Sequence, residues 1–353
     1  MKIGIIAHDA HPLREPYQGG LEMITYLFIQ SLIQYGHHVT VLCLKGSETN
    51  AEQIYYLKRG DENNWSSSSD NLLENISNTT RVLTNFLTKD FDVIHNHSLH
   101  FLPIVMGNQL SIPFITTFHT PILKFIATAI NGIALNVNQI FTAVSDSLAK
   151  EYKELLPDII PIYNGIDCNY WKYSIDTFDN YYSWSGRICK EKGLRETIEF
   201  CEKNGLQLII AGPIFNEKYY NDEIKPRLKT SVYCKYIGHL NQRDLNHLVM
   251  NSKAFIFSST WNEPYGLVIA EALACGVPVI ANNVGAAKEI IDDSCGTLFS
   301  LENEASFLRS VEIAKFIPRD KCRYRAETFC SHFTMTERYL ELYKSLLKIK
   351  LSA

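Results

Sequence analysis

Two glutamates bracket a short stretch in the second half of the chain, Glu263-Pro-Tyr-Gly-Leu-Val-Ile-Ala-Glu271. The stretch follows an apolar run typical of a buried strand and continues into an apolar helical pattern. Its glycine lets the backbone pass close to a ligand, and the helix start presents unpaired N–H groups that bind phosphate. Carboxylates accept hydrogen bonds from paired hydroxyl groups of sugars. We therefore expect a site for a phosphorylated, hydroxyl-rich ligand, contacted by Glu263, Tyr265, Gly266, Leu267, Val268 and Glu271.

A basic cluster precedes this stretch. Arg187, in Ser185-Gly186-Arg187, comes just after a predicted strand, and Lys192 opens the next predicted helix. The fork of an arginine and the point charge of a lysine can together bind a diphosphate without a metal ion. If the basic cluster stood alone, we would interpret it as a solvated loop. If either glutamate stood alone, we would interpret it as a helix-capping or an exposed residue. The two patterns together favour a ligand site, and we expect neither a metal nor a cofactor.

The first half of the chain contributes a glycine turn. Gln18-Gly19-Gly20-Leu21-Glu22 follows the first predicted strand and leads into a helical pattern. Gly19 and Gly20 could let the backbone approach the phosphates or the second substrate. A plain strand-to-helix turn explains them equally well. The dinucleotide fingerprint Gly-x-Gly-x-x-Gly does not occur, which disfavours a nicotinamide dehydrogenase.

Histidines follow two of the predicted strands in the same half. His95 and His97 end one strand, and His119 follows the next, in Thr117-Phe118-His119-Thr120-Pro121. A zinc site is disfavoured because no cysteine or carboxylate accompanies them. We expect His95 to be a buried, hydrogen-bonded histidine and His97 to be structural or to face the second substrate. Ser145 could also touch the second substrate, although capping of the next helix explains its presence.

The elements that must position these residues alternate between strands and helices. Continuous apolar strands suit a parallel sheet covered on both faces, and the alternation predicts a doubly wound α/β fold. The pattern restarts midway, which predicts two Rossmann-like domains with ligands at the strand carboxyl ends, in the cleft between them. The expected strands are Lys2–Ala7, His38–Leu44, Phe91–His95, Phe114–Phe118 and Ile140–Val144, then Tyr181–Ser185, Leu206–Ala211, Val232–Ile237, Ala254–Ser258 and Val277–Ala281.

The domain boundaries follow from the irregular segment between the halves. We expect a Rossmann-like domain at 1–160 for a second substrate, a linker at 161–180, and a Rossmann-like domain at 181–330 that binds the phosphorylated ligand. A final helix at 331–353 is expected to cross back to the first domain. The polar stretch Asp61–Asp70 is interpreted as a surface loop.

The amino-acid composition limits the classes of protein to which this chain could belong. The 353 residues are 46% hydrophobic and 20% charged, as in globular proteins, and the net charge of -4 gives no case for nucleic acid as a partner. The nine scattered cysteines form no C-x-x-C pair, and the first residues do not resemble a signal peptide, so a cytoplasmic location is expected. Ile122–Leu135 is apolar and predicts either a packed helix or a peripheral membrane contact.

The stretch Glu263–Glu271 resembles the Glu–seven residues–Glu signature of glycosyltransferase family 4, whose members are retaining enzymes with the two-domain GT-B fold. The resemblance implies that Glu263 contacts the donor sugar and Glu271 the ribose of the nucleotide. It further implies that Arg187 and Lys192 hold the diphosphate, and that His119 binds the sugar near its anomeric carbon. The family usually has proline before the motif, where this chain has Ser258-Ser259.

The resemblance implies a metal-independent hexosyltransferase. It would move a sugar from a nucleotide-diphosphate donor, UDP before GDP, to a hydroxyl of a glycan, a lipid-linked acceptor or a small molecule. Two alternatives share the fold: a non-catalytic protein that binds sugar nucleotides, and a sugar-nucleotide epimerase. The presence of all four charged residues disfavours the non-catalytic protein: Arg187, Lys192, Glu263 and Glu271. Product analysis would distinguish the epimerase.

Overall fold

The computed structural model describes residues 1–56, 69–175 and 180–352, which divide into two compact units. The first unit comprises Met1–Val144, Leu148–Ile162 and Met335–Ala353, and the second comprises Ser145–Ser147 and Tyr163–Thr334. Residues 61–68 of the expected loop Asp61–Asp70 lie outside the described residues, whereas Ser69 and Asp70 begin a helix.

The first sheet contains seven parallel strands within the described residues, in the order β3-β2-β1-β4-β5-β6-β7. The order reverses direction beside β1, the arrangement of a doubly wound fold. The elements are β1 (Lys2–Ile6), α1 (Gly20–Gln34), β2 (His38–Cys43), β3 (Glu52–Tyr55), α2 (Ser69–Leu87), β4 (Val93–Asn96), α3 (Phe101–Gly107), β5 (Phe114–Phe118), α4 (Lys124–Asn131), β6 (Gln139–Ala143), α5 (Asp146–Tyr152) and β7 (Ile160–Pro161).

Burial on both faces explains the continuous apolar strands of this sheet. Every residue of β4 and β5 is buried, as are the last four residues of β1. One face packs against α2, whose Val82, Leu83 and Phe86 meet Phe91 and Phe114 in a single core cluster. This core holds the carboxyl ends of β1, β4 and β5 side by side.

The second sheet contains six parallel strands within the described residues, in the order β10-β9-β8-β11-β12-β13. Its order reverses direction between β8 and β11. The elements after β7 along the chain are β8 (Tyr182–Ser185), α6 (Leu194–Lys203), β9 (Leu208–Ala211), α7 (Glu217–Tyr219), α8 (Lys225–Thr230), β10 (Cys234–Tyr236), α9 (Gln242–Met250), β11 (Phe255–Phe257), α10 (Leu267–Ala274), β12 (Val279–Asn282), α11 (Ala287–Ile290), β13 (Gly296–Phe299), α12 (Glu304–Ala314), α13 (Arg319–Phe329) and α14 (His332–Ser352), of which α14 belongs mostly to the first unit.

The two Rossmann-like α/β sheets confirm the predicted fold class. All ten predicted strands occur, with ends that shift by one or two residues. The prediction omitted the strands β3, β7 and β13, and helices such as α2, α3, α12 and α13. Lys192 does not open α6 as expected: it ends a 3₁₀ helix, Lys190–Lys192, and Gly193 separates that turn from α6.

The last helix contributes two buried tyrosines to the first unit. The hydroxyl of Tyr339 lies 3.0 Å from Oγ1 of Thr117, and that of Tyr343 lies 2.5 Å from Nδ1 of His95. The other ring nitrogen of His95 lies 2.6 Å from Thr117 Oγ1, so both of its polar atoms are paired. These contacts make the carboxyl-terminal helix part of the core of this unit.

Candidate functional site

The turn that carries Lys192 packs closely against the end of β11. Gly193 adopts a left-handed φ of 64°, and a Cβ at this position would collide with the carbonyl oxygen of Ser258. Glycine alone combines that φ with so close an approach to backbone. The position of Lys192 therefore depends on the absence of a side chain at the next residue.

Three residues with hydroxyl side chains follow β11 and form hydrogen bonds to the same turn: Ser258, Ser259 and Thr260. Ser258 Oγ donates to the carbonyl oxygen of Lys192 at 2.9 Å, and the backbone N–H of Thr260 donates to that of Glu191 at 2.8 Å. Ser259 Oγ lies 3.2 Å from the Glu191 carbonyl oxygen and 3.4 Å from Oε1 of Glu263. Ser258 and Ser259 thus bind the turn by hydrogen bonds, a role that the sequence did not indicate.

Lys192 and Glu263 form an ion pair with little exposure to solvent. Only 16% of the lysine side chain and 11% of the glutamate side chain are exposed. Burial and the nearby positive charge of Arg187 lower the pKa of Lys192 to about 8. The Glu263 carboxylate opposes this shift because it favours the ammonium form. The Lys192 ammonium also lies 5.7 Å from the ring centre of Trp261, within cation–π distance.

Arg187 lies in the loop after β8 and is exposed. Its guanidinium carbon lies 4.6 Å above the ring of Phe215, in cation–π contact. This stacking orients the planar fork while leaving its N–H groups available to an anion. The structure therefore brings two cations of different chemistry, Arg187 and Lys192, to the carboxyl end of β8.

The start of α10 supplies the third part of the site. Gly266 caps this helix with a φ of 94°, and the half-buried Leu267 and Val268 follow in its first turn. Glu271, further along α10, is partly buried, and loss of solvation raises the pKa of its carboxyl to about 7. The Tyr265 side chain is buried with its ring centre 6.5 Å from that of Tyr163, so any ligand contact would come from its backbone.

The loop before α11 holds the main chain of Glu263. The backbone N–H of Ala286 donates to the Glu263 carbonyl oxygen at 3.1 Å. A Cβ on Gly285, whose φ is 53°, would lie 2.5 Å from the same backbone. The segment Gly285-Ala-Ala-Lys-Glu289 thus positions Glu263 by close backbone contact, which sequence spacing alone did not show.

Ser145 is fully buried at the end of β6. The backbone N–H groups of the next two residues, Asp146 and Ser147, donate to the carboxylate of Glu289 at 2.8 and 2.7 Å, all within the second unit. A carboxylate at a helix start is favoured by the helix dipole. Glu289 therefore accepts hydrogen bonds from the first two backbone N–H groups of α5, a contact that the sequence did not indicate.

In the first unit, His97 and His119 lie at the ends of neighbouring strands and contact each other. Nδ1 of His97 lies 3.1 Å from Nε2 of His119. His97 is buried, whereas His119 is partly exposed. Gly19 precedes α1 in an extended conformation and Gly20 begins that helix; a Cβ at Gly19 would lie 2.9 Å from Oε2 of Glu22.

Among residues 1–56, 69–175 and 180–352, no group of three or more His, Cys, Asp or Glu side chains could hold a metal ion. In the same part of the chain, no helix is both long and apolar enough to cross a membrane. Helix α4 buries Ile126 and Ile130, while Ile122, Phe125 and Leu135 around it stay exposed.

The sequence matches two family models that together span residues 18–327. Residues 18–170 match the model described as Glycosyltransferase Family 4, and residues 169–327 match the one described as Glycosyl transferases group 1. Glycogen synthase of Mycobacterium tuberculosis is 25% identical over 225 residues, which are 57% of this chain and 54% of that protein. The chain thus spans about half the length of this curated relative.

Two solved structures share the fold over almost the whole chain. Sucrose-phosphate synthase from Thermosynechococcus elongatus superposes with a TM-score of 0.77 at 16% identity, covering 99% of both chains. Anabaena HepE, solved in complex with UDP, superposes with a TM-score of 0.71 at 18% identity, covering 98% of this chain and 100% of that one. HepE was also solved in complex with UDP-glucose.

Proposed function

This chain belongs to glycosyltransferase family 4 and has the GT-B fold, and from that premise we propose the reaction that it performs. It is a retaining enzyme that moves a hexose from a nucleotide-diphosphate donor to a hydroxyl acceptor without a metal ion. The observation that carries the proposal is the buried Lys192–Glu263 ion pair next to Arg187 and the start of α10.

The two cations bind the leaving group. When the bond between the anomeric carbon and the diphosphate breaks, negative charge develops on the departing phosphate oxygen. Preorganised positive groups in a site shielded from water stabilise that charge strongly. The Arg187 fork binds the diphosphate oxygens, Lys192 adds a point charge, and the N–H groups at the start of α10 add partial positive charge. These contacts replace the role that a metal ion has in other transferases.

The acidic and histidine side chains orient the rest of the donor. Glu263 accepts hydrogen bonds from sugar hydroxyl groups, and Glu271 accepts them from the ribose. His119 binds the sugar near the anomeric carbon. Because Glu263 is paired with the Lys192 ammonium, it is a poor nucleophile for a covalent intermediate. This supports attack by the acceptor hydroxyl on the face from which the diphosphate leaves, with the departing oxygen taking the hydroxyl proton.

UDP is the favoured nucleotide and GDP the next. HepE, which shares the fold, was solved with UDP and with UDP-glucose, and this supports the preference. The acceptor is a glycan, a lipid-linked molecule or a small molecule with a free hydroxyl, bound by the first unit, where His97 and Ser145 remain candidates. The exposed Ile122, Phe125 and Leu135 suit peripheral contact with a membrane. All nine cysteines are buried and unpaired, which suits a cytoplasmic location.

Calorimetric titration with UDP, GDP and their common sugar conjugates, in the presence of EDTA, tests the donor site. We expect one nucleotide to bind without metal. Arg187→Ala should lower the affinity for that nucleotide by about 10- to 100-fold, because charge-assisted hydrogen bonds are lost. Arg195→Ala is the matched control, because Arg195 is partly exposed and pairs with Glu196 in the same unit. No binding by the wild type, or equal losses in both variants, would contradict the proposal.

A further inference from the structure

The hydrogen bond between the two strand-end histidines couples their tautomers. Nδ1 of His97 and Nε2 of His119 are 3.1 Å apart, and their ring centres are 5.3 Å apart. A neutral imidazole has one N–H donor and one bare nitrogen acceptor. One of the two facing nitrogens must therefore donate while the other accepts. The choice made at His97 decides which nitrogen of His119 carries the proton.

His97 is held rigidly and leaves one nitrogen unpaired. Its side chain is 1% exposed, and its backbone N–H donates to the carbonyl oxygen of Ile6 at 2.8 Å. Its ring packs against His95, with ring centres 4.0 Å apart, and against Phe28 at 5.5 Å. Its Nε2 is buried with no hydrogen-bond partner among the described residues.

The unpaired nitrogen indicates where the proton of His97 lies. A proton on Nε2 would leave a buried N–H donor without an acceptor, and orphaned donors are rarer in proteins than orphaned acceptors. With the proton on Nδ1, His97 instead donates to His119, and only a bare nitrogen is left unpaired. His119 then accepts at Nε2 and must carry its own proton on Nδ1.

We propose that His97 is a positioning residue that fixes His119 as the Nδ1–H tautomer, so that His119 presents a hydrogen-bond donor to an oxygen of the bound sugar. The identity of that oxygen rests on the proposed function, whereas the tautomer does not. Burial and the positive charge that His8 can carry lower the pKa of His119 to about 3, which keeps the ring neutral. His119 thus acts as a neutral donor, and it does not take the acceptor proton.

Nitrogen-15 NMR of the histidine rings in the full chain tests the tautomer directly, because protonated and bare ring nitrogens have separate shifts. His119→Gln assigns the His119 signals. We expect Nδ1 protonation in the wild type and a mixture of tautomers in His97→Phe, which keeps the ring packing but removes the donor. His97→Asn, whose amide nitrogen can replace the imidazole Nδ1, should restore the wild-type pattern. A wild-type His119 protonated at Nε2 would overturn the proposal, even if His97→Phe failed to fold.

Kinetics with the donor identified by titration provides the second readout. We expect His97→Phe to lower kcat about 10-fold with little change in the KM for the donor, and His97→Asn to recover most of that loss. A folded His97→Phe with wild-type kcat would contradict the positioning role. If His119→Gln itself retains full activity while the tautomers behave as expected, the proposed contact with the sugar fails and the histidine coupling stands.

Discussion

The charge state of Lys192 is set by two opposing neighbours. Arg187 and burial disfavour its ammonium form, and the Glu263 carboxylate favours it. The nearby thiol of Cys189 has its pKa raised to about 11, and the pKa of Glu191 is lowered, so neither group titrates near pH 8. Glu271, whose pKa is raised to about 7, is mostly ionised by pH 8, so Lys192 is the member of the site whose charge changes above that pH.

We expect nucleotide binding to weaken as the pH rises through about 8. The pKa of Lys192 is lowered to about 8, so the ammonium that binds the diphosphate is present below that pH and is lost above it. Affinity for the nucleotide should fall about 10-fold between pH 7 and pH 9.5. In Lys192→Arg, whose guanidinium stays charged, the titration curve should be flat above pH 8, where Glu271 is already ionised. A flat curve for the wild type, or a parallel fall in both proteins, would exclude this origin.

Residue types and spacing predicted the charged members of the candidate site. Arg187, Lys192 and Glu263 carry chemistry that a loop seldom needs, and the structure brings Lys192 and Glu263 into contact. The residues that hold them were not predictable in the same way. Ser258 and Gly285 act through backbone contacts with residues far along the chain, and such contacts leave no local pattern.

At the scale of elements, the turn between β8 and α6 depends on one glycine. We expect Gly193→Ala to cost more stability than Gly205→Ala, although both glycines have a φ of 64°. The left-handed conformation costs either alanine about 1–2 kcal/mol. At Gly193 the new Cβ also collides with the Ser258 carbonyl, whereas at Gly205 the nearest atoms, in Tyr233, lie at an ordinary 3.7 Å.

Urea unfolding of both variants measures the difference, and nucleotide titration measures its effect on the site. Gly193→Ala should also lower the affinity for the nucleotide, because the shifted turn carries Lys192. Gly205→Ala should bind it as the wild type does. Equal free energies of unfolding in the two variants would show that the close approach to Ser258 has no energetic weight.

The elements that were predicted and those that were missed differ in burial. β1 and β5 are buried along almost their whole length, so their apolar runs were plain in the sequence. β3 is an edge strand with exposed or half-buried residues, and its sequence, Glu-Gln-Ile-Tyr, has no such run. α2 is rich in Asn, Ser and Thr, which are weak helix formers. In both cases packing against the rest of the unit, rather than local preference, decides the structure.

At the scale of the whole molecule, the first unit is completed by the last helix. We expect Tyr343→Phe to lower the free energy of unfolding by about 1–3 kcal/mol, because Nδ1 of the buried His95 loses its partner. Tyr35→Phe, which removes a hydroxyl bonded to Glu337 at an exposed site, should change it by less than about 0.5 kcal/mol. Thermal and urea unfolding compare the two, and equal effects would show that the buried contact does not stabilise the unit.

The return of α14 to the first unit has a consequence for synthesis on the ribosome. Chains emerge from the amino terminus, and domains generally fold as units in that order. Here Tyr339 and Tyr343, which pair with Thr117 and His95, are translated after all of the second unit. The unit whose synthesis begins first is therefore completed last. On the ribosome, all residues of the second unit are made before the tyrosines that pair with Thr117 and His95 of the first unit.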